Sequence, residues 1–191
     1  MSDWLDDLIP KVTVPEGKSG IWFVRCVEIE DSVVARFCGR HFKPGTYTHL
    51  RRGGKLIMSD TPAERYDHVG FVQRATGDVL ISGLGLGMCL GAVLKKPDVR
   101  SVTVIEKEPD VIALVGPHYC DPRVTIINAN ALTWKPHPHQ HFDVVWHDIW
   151  DDICTDNLPQ MATLNRRYAT KAKWKGCWSQ EQTKYYARQG R

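Results

Sequence analysis

In the second half of the chain, apolar residues come in short unbroken runs rather than in alternation: Val79 to Ile81, Val102 to Ile105, Val124 to Ile127 and Phe142 to Trp146. Runs of that kind suit strands buried on both faces, the condition of a parallel sheet covered by helices. Helix formers fill the gaps, from Met88 to Lys95 and from Pro109 to Tyr119. Repeated alternation of strand and helix predicts an α/β fold with right-handed crossovers. A further helix over about Asp156 to Tyr168 carries Leu158, Met161, Leu164 and Tyr168 at helical spacing, which reads as a core stripe.

The first part of the chain patterns differently. Ile21 to Val24, Val27 to Ile29, Val33 to Phe37, Tyr47 to Leu50 and Lys55 to Met58 read as short strands, punctuated by Pro44-Gly45 and Gly53-Gly54. They predict a small β-rich extension, reached from an arm that carries Trp4, Leu5, Leu8 and Ile9 among acids. Thr61-Pro62-Ala63-Glu64 then reads as a helix start, with Thr61 as cap, Pro62 at the first helical position and Glu64 completing a capping box. That helix is expected over Ala63 to Arg74, with Tyr66, Val69, Val72 and Gln73 towards the sheet and Gly77 closing it. The division predicted is an arm with a β-rich extension over 1–60 and a cofactor-binding domain with a tail over 61–191.

Between the first two parallel strands lies the stretch on which the functional reading turns. Gly83, Gly85 and Gly87 follow the strand at Val79 and open a helix, and Glu106 ends the next strand nineteen positions beyond Gly87. A glycine turn lets backbone N–H groups approach a ligand closely, and a carboxylate at the end of the second strand can accept hydrogen bonds from ribose hydroxyls. The pattern therefore predicts a site for a nucleoside-containing cofactor. Ligands of open parallel sheets bind beyond the carboxyl ends of the strands, which brings in Asn130 and Ala131 after the third strand and Asp148 with Asp151 after the fourth. Asn130 is suited to an adenine edge. Asp148 can hold an amine, take its proton, or face a sulfonium, while Asp151 either shares that work or caps a turn. Trp146 and Trp150 are expected to wall the site, and His147 to point to the opposite face.

Composition narrows the classes. At 191 residues and 42% hydrophobic, the chain can bury one domain with a small extension. No apolar run approaches membrane-spanning length, and three aspartates among the first nine residues do not suit a signal peptide, so a cytoplasmic location is expected, with no membrane partner. The six cysteines show no metal-like spacing and read as small buried hydrophobes. His137, His139 and His141 alternate in a proline-containing loop that reads as solvated, and no metal is expected. From Arg166 onward eight basic residues face one acid, Glu181, whereas the rest of the chain is net acidic. That tail reads as a solvated face, nucleic acid being its weaker use. A sheet of about five strands leaves an edge for Trp174 and Trp178 or for a second copy in a homodimer.

The segments VLISGLGLG (79–87), VTVIEKEPDVI (102–112), VTIINANAL (124–132) and FDVVWHDIWDD (142–152) together resemble class I S-adenosylmethionine-dependent methyltransferases, and most of all their spermidine synthase type. The resemblance implies a Rossmann-like fold preceded by the small β-rich extension and shortened at its C-terminal end. It implies that Gly83, Gly85 and Gly87 pass the amino acid part of S-adenosyl-L-methionine, that Glu106 binds its ribose, and that Asn130 and Ala131 meet its adenine. Asp148 and Asp151 match the family's Asp-x-x-Asp, whose first acid acts on the attacking amine. Leu56 to His68 resembles, more loosely, the segment before the family's core, with Tyr66 and His68 in it. Asn130 stands where the family usually has Asp, and Asp152 where it usually has proline. Methyl transfer to a nitrogen or oxygen nucleophile of a small molecule is the leading expectation. Aminopropyl transfer from decarboxylated S-adenosylmethionine is the runner-up, and a non-catalytic interaction protein the third reading.

Overall fold

A computed structural model describes residues 4–29 and 44–190. The strand expected at Val33 to Phe37, and Cys38, lie outside the described residues. Helix α1 (Trp4–Leu8) leads into an antiparallel sheet of β1 (Gly17–Ser19), β2 (Trp22–Ile29), β3 (Gly45–Arg52) and β4 (Lys55–Ser59). The two expected pieces around Val24 and Val27 are one strand, β2, because both pair in continuous register with β3. Gly53-Gly54 makes the β3–β4 turn as expected, Gly53 taking the left-handed φ of 57° that glycine tolerates.

Helices α2 (Pro62–Asp67) and α3 (Val69–Arg74) then precede β5 (Gly77–Ser82), α4 (Met88–Leu94), β6 (Val99–Glu106), α5 (Pro109–Val115), β7 (Val124–Asn128), β8 (Phe142–His147), α6 (Leu158–Arg167), β9 (Ala172–Cys177) and α7 (Gln180–Arg188). The five strands pair in parallel in the order β7-β6-β5-β8-β9, with β5 at the centre. This is an open, Rossmann-like parallel sheet. The polar-looking AKWKGC segment supplies the fifth strand, and its Trp174 stacks 6.2 Å from Trp146, which stacks in turn 5.3 Å from Phe71.

The two faces of the parallel sheet bury different sets. Val79, Ile81, Val104 and Val144 share a core with Phe71, Val72 and Leu90 and also with Ile9, Trp22, Val24 and Leu50 from the antiparallel part. On the other face Leu80, Ile105 and Val145 pack under Leu164 and Tyr168 of α6. One apolar core thus holds the antiparallel sheet against the carboxyl end of the parallel one.

The helix expected over Ala63 to Arg74 is broken at His68, whose N–H donates to the Arg65 carbonyl. The break changes which residues face inward. Arg65, His68, Phe71 and Val72 are buried, whereas Tyr66 is 62% exposed and Gln73 lies at the surface. Glu64 does not close a capping box on Thr61, which makes no side-chain cap; its carboxylate accepts the Ser59 N–H at 2.7 Å and the Ser59 hydroxyl at 2.8 Å. Of the cysteines, Cys89 and Cys177 are buried, but Cys26, Cys120 and Cys154 are exposed and do not serve the core. Among the described residues no helix is long and apolar enough to cross a membrane.

Arg65 is buried because it has partners. Its Nε donates to the Ile9 carbonyl at 2.7 Å and its Nη2 to Asp6 at 2.5 Å, tying the N-terminal arm to α2. Hydrogen bonds involving a charged group contribute about 1.5–3 kcal/mol. Arg65→Met keeps the apolar stem and removes the donors, so we expect a loss of roughly 2 kcal/mol in urea unfolding. An unchanged midpoint would show that the arm is not held this way.

Candidate active site

The carboxyl ends of β5, β6 and β8 and the loop after β7 open into one cavity of about 480 Å³, within the range of small-ligand sites. Trp22, Leu50, Arg52 and Met58 of the antiparallel sheet cover it. The site therefore lies where an open parallel sheet offers its strand ends, roofed by the preceding extension.

All three glycines of the turn have left-handed φ, 94° at Gly83, 52° at Gly85 and 74° at Gly87. A Cβ on Gly83 would sit 2.0 Å from the Asp148 carbonyl oxygen, and one on Gly85 would sit 2.5 Å from Met58 Sδ. Gly83 and Gly85 line the cavity; Gly87 does not, lying instead against the Tyr119 ring. Sheet hydrogen bonds fix the turn from both sides, since Gly83 N–H donates to Ile105 and Asp148 N–H donates to Ser82, each at 2.8 Å.

Glu106 ends β6 at 7% exposure. Its two oxygens accept the N–H groups of Leu84 and Glu108, both at 2.8 Å. Each carboxylate oxygen keeps capacity for a further donor, as a ribose hydroxyl would supply. Asn130 is exposed at the cavity, and its side-chain oxygen accepts the Leu132 N–H at 2.9 Å, leaving the amide nitrogen as its free recognition group. Ala131 is buried beside it, and its carbonyl accepts Arg167 Nη1 at 2.6 Å. Arg167 also bonds the carbonyls of Leu132 and Trp134, so one α6 side chain clamps this whole loop. Nothing in the sequence pattern singled Arg167 out.

Asp148 is the most perturbed acid of the site. Burial, together with the charges of Glu64, Asp67 and Glu106, pushes its carboxyl up to about 8. His68 Nε2 lies 3.6 Å from its Oδ2, too far for a hydrogen bond, and burial lowers this histidine to about 4. Near neutral pH the pair is therefore a carboxylic acid beside a neutral imidazole. His68 Nδ1 is buried without a hydrogen-bond partner.

Asp151 stands apart from Asp148 in environment. It pairs with Arg52 at 2.5 Å and Lys55 at 3.7 Å, while Asp152 pairs with Lys55 at 2.6 Å. These contacts strap the β3–β4 hairpin to the loop after β8 at the cavity wall. The basic tip Arg51-Arg52-Gly53-Gly54-Lys55 opposite Asp151-Asp152 was a charge match that the sequence offered. Trp150 lines the cavity and donates to Gln160 at 2.8 Å, but Trp146 does not, because it is committed to the stack with Phe71 and Trp174. His147 is fully buried on the opposite face, within 2.9 Å of Ser82 Oγ, and burial brings it down to about 3.

Two surface features resolve simply. Lys173 of the basic tail pairs with Asp143 at 2.6 Å, and Lys171 donates to the Pro138 carbonyl at 2.7 Å in the histidine loop. Among the described residues no group of His, Cys, Asp and Glu is arranged to hold a metal.

Over 158 residues, 75% of the chain, it is 30% identical to polyamine aminopropyltransferase 1 of Streptomyces coelicolor. The chain is similar in sequence to polyamine aminopropyltransferases. A second relative, polyamine aminopropyltransferase 2 of Ralstonia nicotianae, is 34% identical over 88 residues, 41% of the chain. The match spans only 28% and 17% of these two relatives. Among solved structures, spermidine synthase from Thermotoga maritima is 22% identical, with a TM-score of 0.46 over 83% of this chain and 53% of that one. No protein-family model matches the chain.

The raised carboxyl has a stability consequence of known sign. From about 4 to about 8 the folded state binds a proton that the unfolded chain releases, so stability falls as pH rises through that window. His68 and His147 act oppositely, their stabilisation being lost as pH falls below the ordinary histidine value. Between pH 6.5 and 8.5 only Asp148 of these three titrates in the folded state. Over that interval the wild type is expected to lose about 1 kcal/mol, roughly 2–4 °C in Tm. Asp148→Asn should flatten the slope; a slope shared by both proteins would contradict the assignment.

Proposed function

We propose that the chain binds an S-adenosyl sulfonium donor between the glycine turn and Glu106 and transfers a carbon group from it to an amine, aminopropyl transfer being the favoured case. The observation that carries this reading is Asp148, a largely buried acid at a strand end, raised by desolvation and then by neighbouring carboxylates, in a cavity of small-ligand size. An enclosed site with so many acids favours cationic ligands, which a sulfonium and an ammonium both are. The similarity to aminopropyltransferases supports the same choice of donor and acceptor.

In this reading Glu106 holds the ribose and Asn130 the base. The amine nitrogen attacks the carbon bonded to the sulfonium, the carbon–sulfur bond breaks with its electron pair going to sulfur, and a neutral thioether nucleoside leaves. The proton lost by the amine passes to Asp148. A base near 8 suits that task, because it accepts from an ammonium without being idle at neutral pH. The entering positive charges favour its ionised form. Alignment of the nucleophile in a water-poor cavity supplies the rest.

Methyl transfer from S-adenosyl-L-methionine is the second reading, and one observation favours it. Between its glycines the turn carries only Leu84 and Leu86, so no acid of the turn itself opposes a donor carboxylate. Both readings use the same base and differ in the carbon transferred.

Incubation with either donor and a panel of linear diamines, followed by mass spectrometry, tests the proposal. An alkylated amine and a thioether nucleoside are expected, with kcat/KM rising with pH through about 8 and falling about 10²–10⁴-fold in Asp148→Asn. No amine product from either donor, or an undiminished variant, would sink it.

A further inference from the structure

The loop after β7 closes on itself in a tight turn. The Asn130 carbonyl accepts the N–H groups of Thr133 at 3.0 Å and Trp134 at 2.8 Å, and the Thr133 hydroxyl at 3.2 Å. Arg167, in the last turn of α6, is not among the residues that line the cavity. Its Nη1 donates to the carbonyls of Ala131 and Trp134, at 2.6 and 2.9 Å, and its Nη2 to that of Leu132 at 2.5 Å. Three carbonyls of one turn thus converge on one guanidinium. The helix end that carries it is itself anchored, since Leu164 and Tyr168 are buried in one core with Ala131, and Leu132 and Trp134 pack against that core.

Planarity of the peptide unit carries the effect of this clamp to the ligand side. The carbonyl of Ala131 and the N–H of Leu132 belong to one trans unit and point in opposite directions. With the carbonyl drawn to Arg167, the Leu132 N–H turns the other way, where it donates to Asn130 Oδ1 at 2.9 Å. A side-chain amide has an acceptor end and a donor end. Because the oxygen of Asn130 is engaged, the end left for a ligand is its Nδ2 amino group, which has no hydrogen-bond partner among the described residues. Guanidinium, peptide and side-chain amide form a hydrogen-bonded chain in which each member polarises the next, and that strengthens the donor at its end.

We infer that Arg167 is a positioning residue for base recognition: through the Ala131–Leu132 peptide it fixes Asn130 as a hydrogen-bond donor, so that the site reads an acceptor atom on the edge of the nucleoside base. The inference rests on the sulfonium-nucleoside reading above and deepens it. Purine ring nitrogens that carry no proton are acceptors of this kind. Asn130 stands where Asp was expected, and a carboxylate carries acceptors alone, so the departure reverses the polarity of the contact. Glu106 takes its bonds from the N–H groups of Leu84 and Glu108 and shares none with Arg167. The hold on the sugar is therefore independent of the clamp.

Calorimetric titration of the full chain with methylthioadenosine, and with methylthioribose as the same thioether sugar without its base, tests the inference in the wild type, Asn130→Ala, Arg167→Met and the double variant. Each single substitution is expected to weaken methylthioadenosine about five- to tenfold, and the double variant to lose no more than either single one. Methylthioribose is expected to bind all four proteins equally. Arg167→Lys should recover part of the loss, because an ammonium lacks the planar fork that spans several carbonyls. Thermal melting reports whether each variant is folded. If Arg167→Met is not, Arg167→Lys carries the comparison, with an expected loss of about two- to threefold for the nucleoside and none for the sugar. Undiminished nucleoside binding in the Arg167 variants, losses that add in the double variant, or a matching loss for methylthioribose, as a merely structural clamp would give, overturns this inference and leaves the sulfonium reading standing. A wild type that binds no methylthioadenosine overturns both.

Discussion

Asp148 directly follows β8 with Glu64, Asp67 and Glu106 within electrostatic reach, its side chain only 12% exposed. Like charges crowded into an enclosed space are tolerated only if a proton stays or a cation arrives. Much of the surrounding architecture maintains this condition. The antiparallel sheet roofs the cavity, Arg65 anchors the arm beneath α2, and the ion pairs of Arg52 and Lys55 hold the hairpin to the loop after β8. The same pairs engage Asp151 and Asp152 at the hairpin tip, away from Asp148.

Backbone geometry fixes the other half of the site. Gly83 passes so near the Asp148 carbonyl that only glycine fits, and the sheet hydrogen bonds of Ser82 and Ile105 hold the two strand ends together. The glycine turn and the acid are thereby placed by the central strands β5, β6 and β8, which are largely buried. Sites carried on such elements are positioned more sharply than sites on free loops.

What was legible in the chain follows from burial. Parallel strands covered on both faces appear as unbroken apolar runs, so β5, β6, β7 and β8 stand out, and the glycine turn with Glu106 follows from their spacing. Strand β9 is not legible that way, because Lys173 and Lys175 sit at an edge where lysine is at home, and its stack of Trp174 on Trp146 is a tertiary fact. The break at His68 and the inward turn of Arg65 depend on Asp6, Ile9 and Asp148, which are remote in sequence. Glu64 illustrates the limit best. Local spacing assigned it to a helix cap, whereas Ser59 draws it towards the cavity.

Asp148 is expected to keep its proton near neutral pH and to give it up when a cation enters. Titration of the decarboxylated donor near pH 7 in buffers of different ionisation enthalpy counts that proton directly. Release of about one proton on binding is expected, absent in Asp148→Asn. Binding without proton release, or with the same release in the variant, would contradict it.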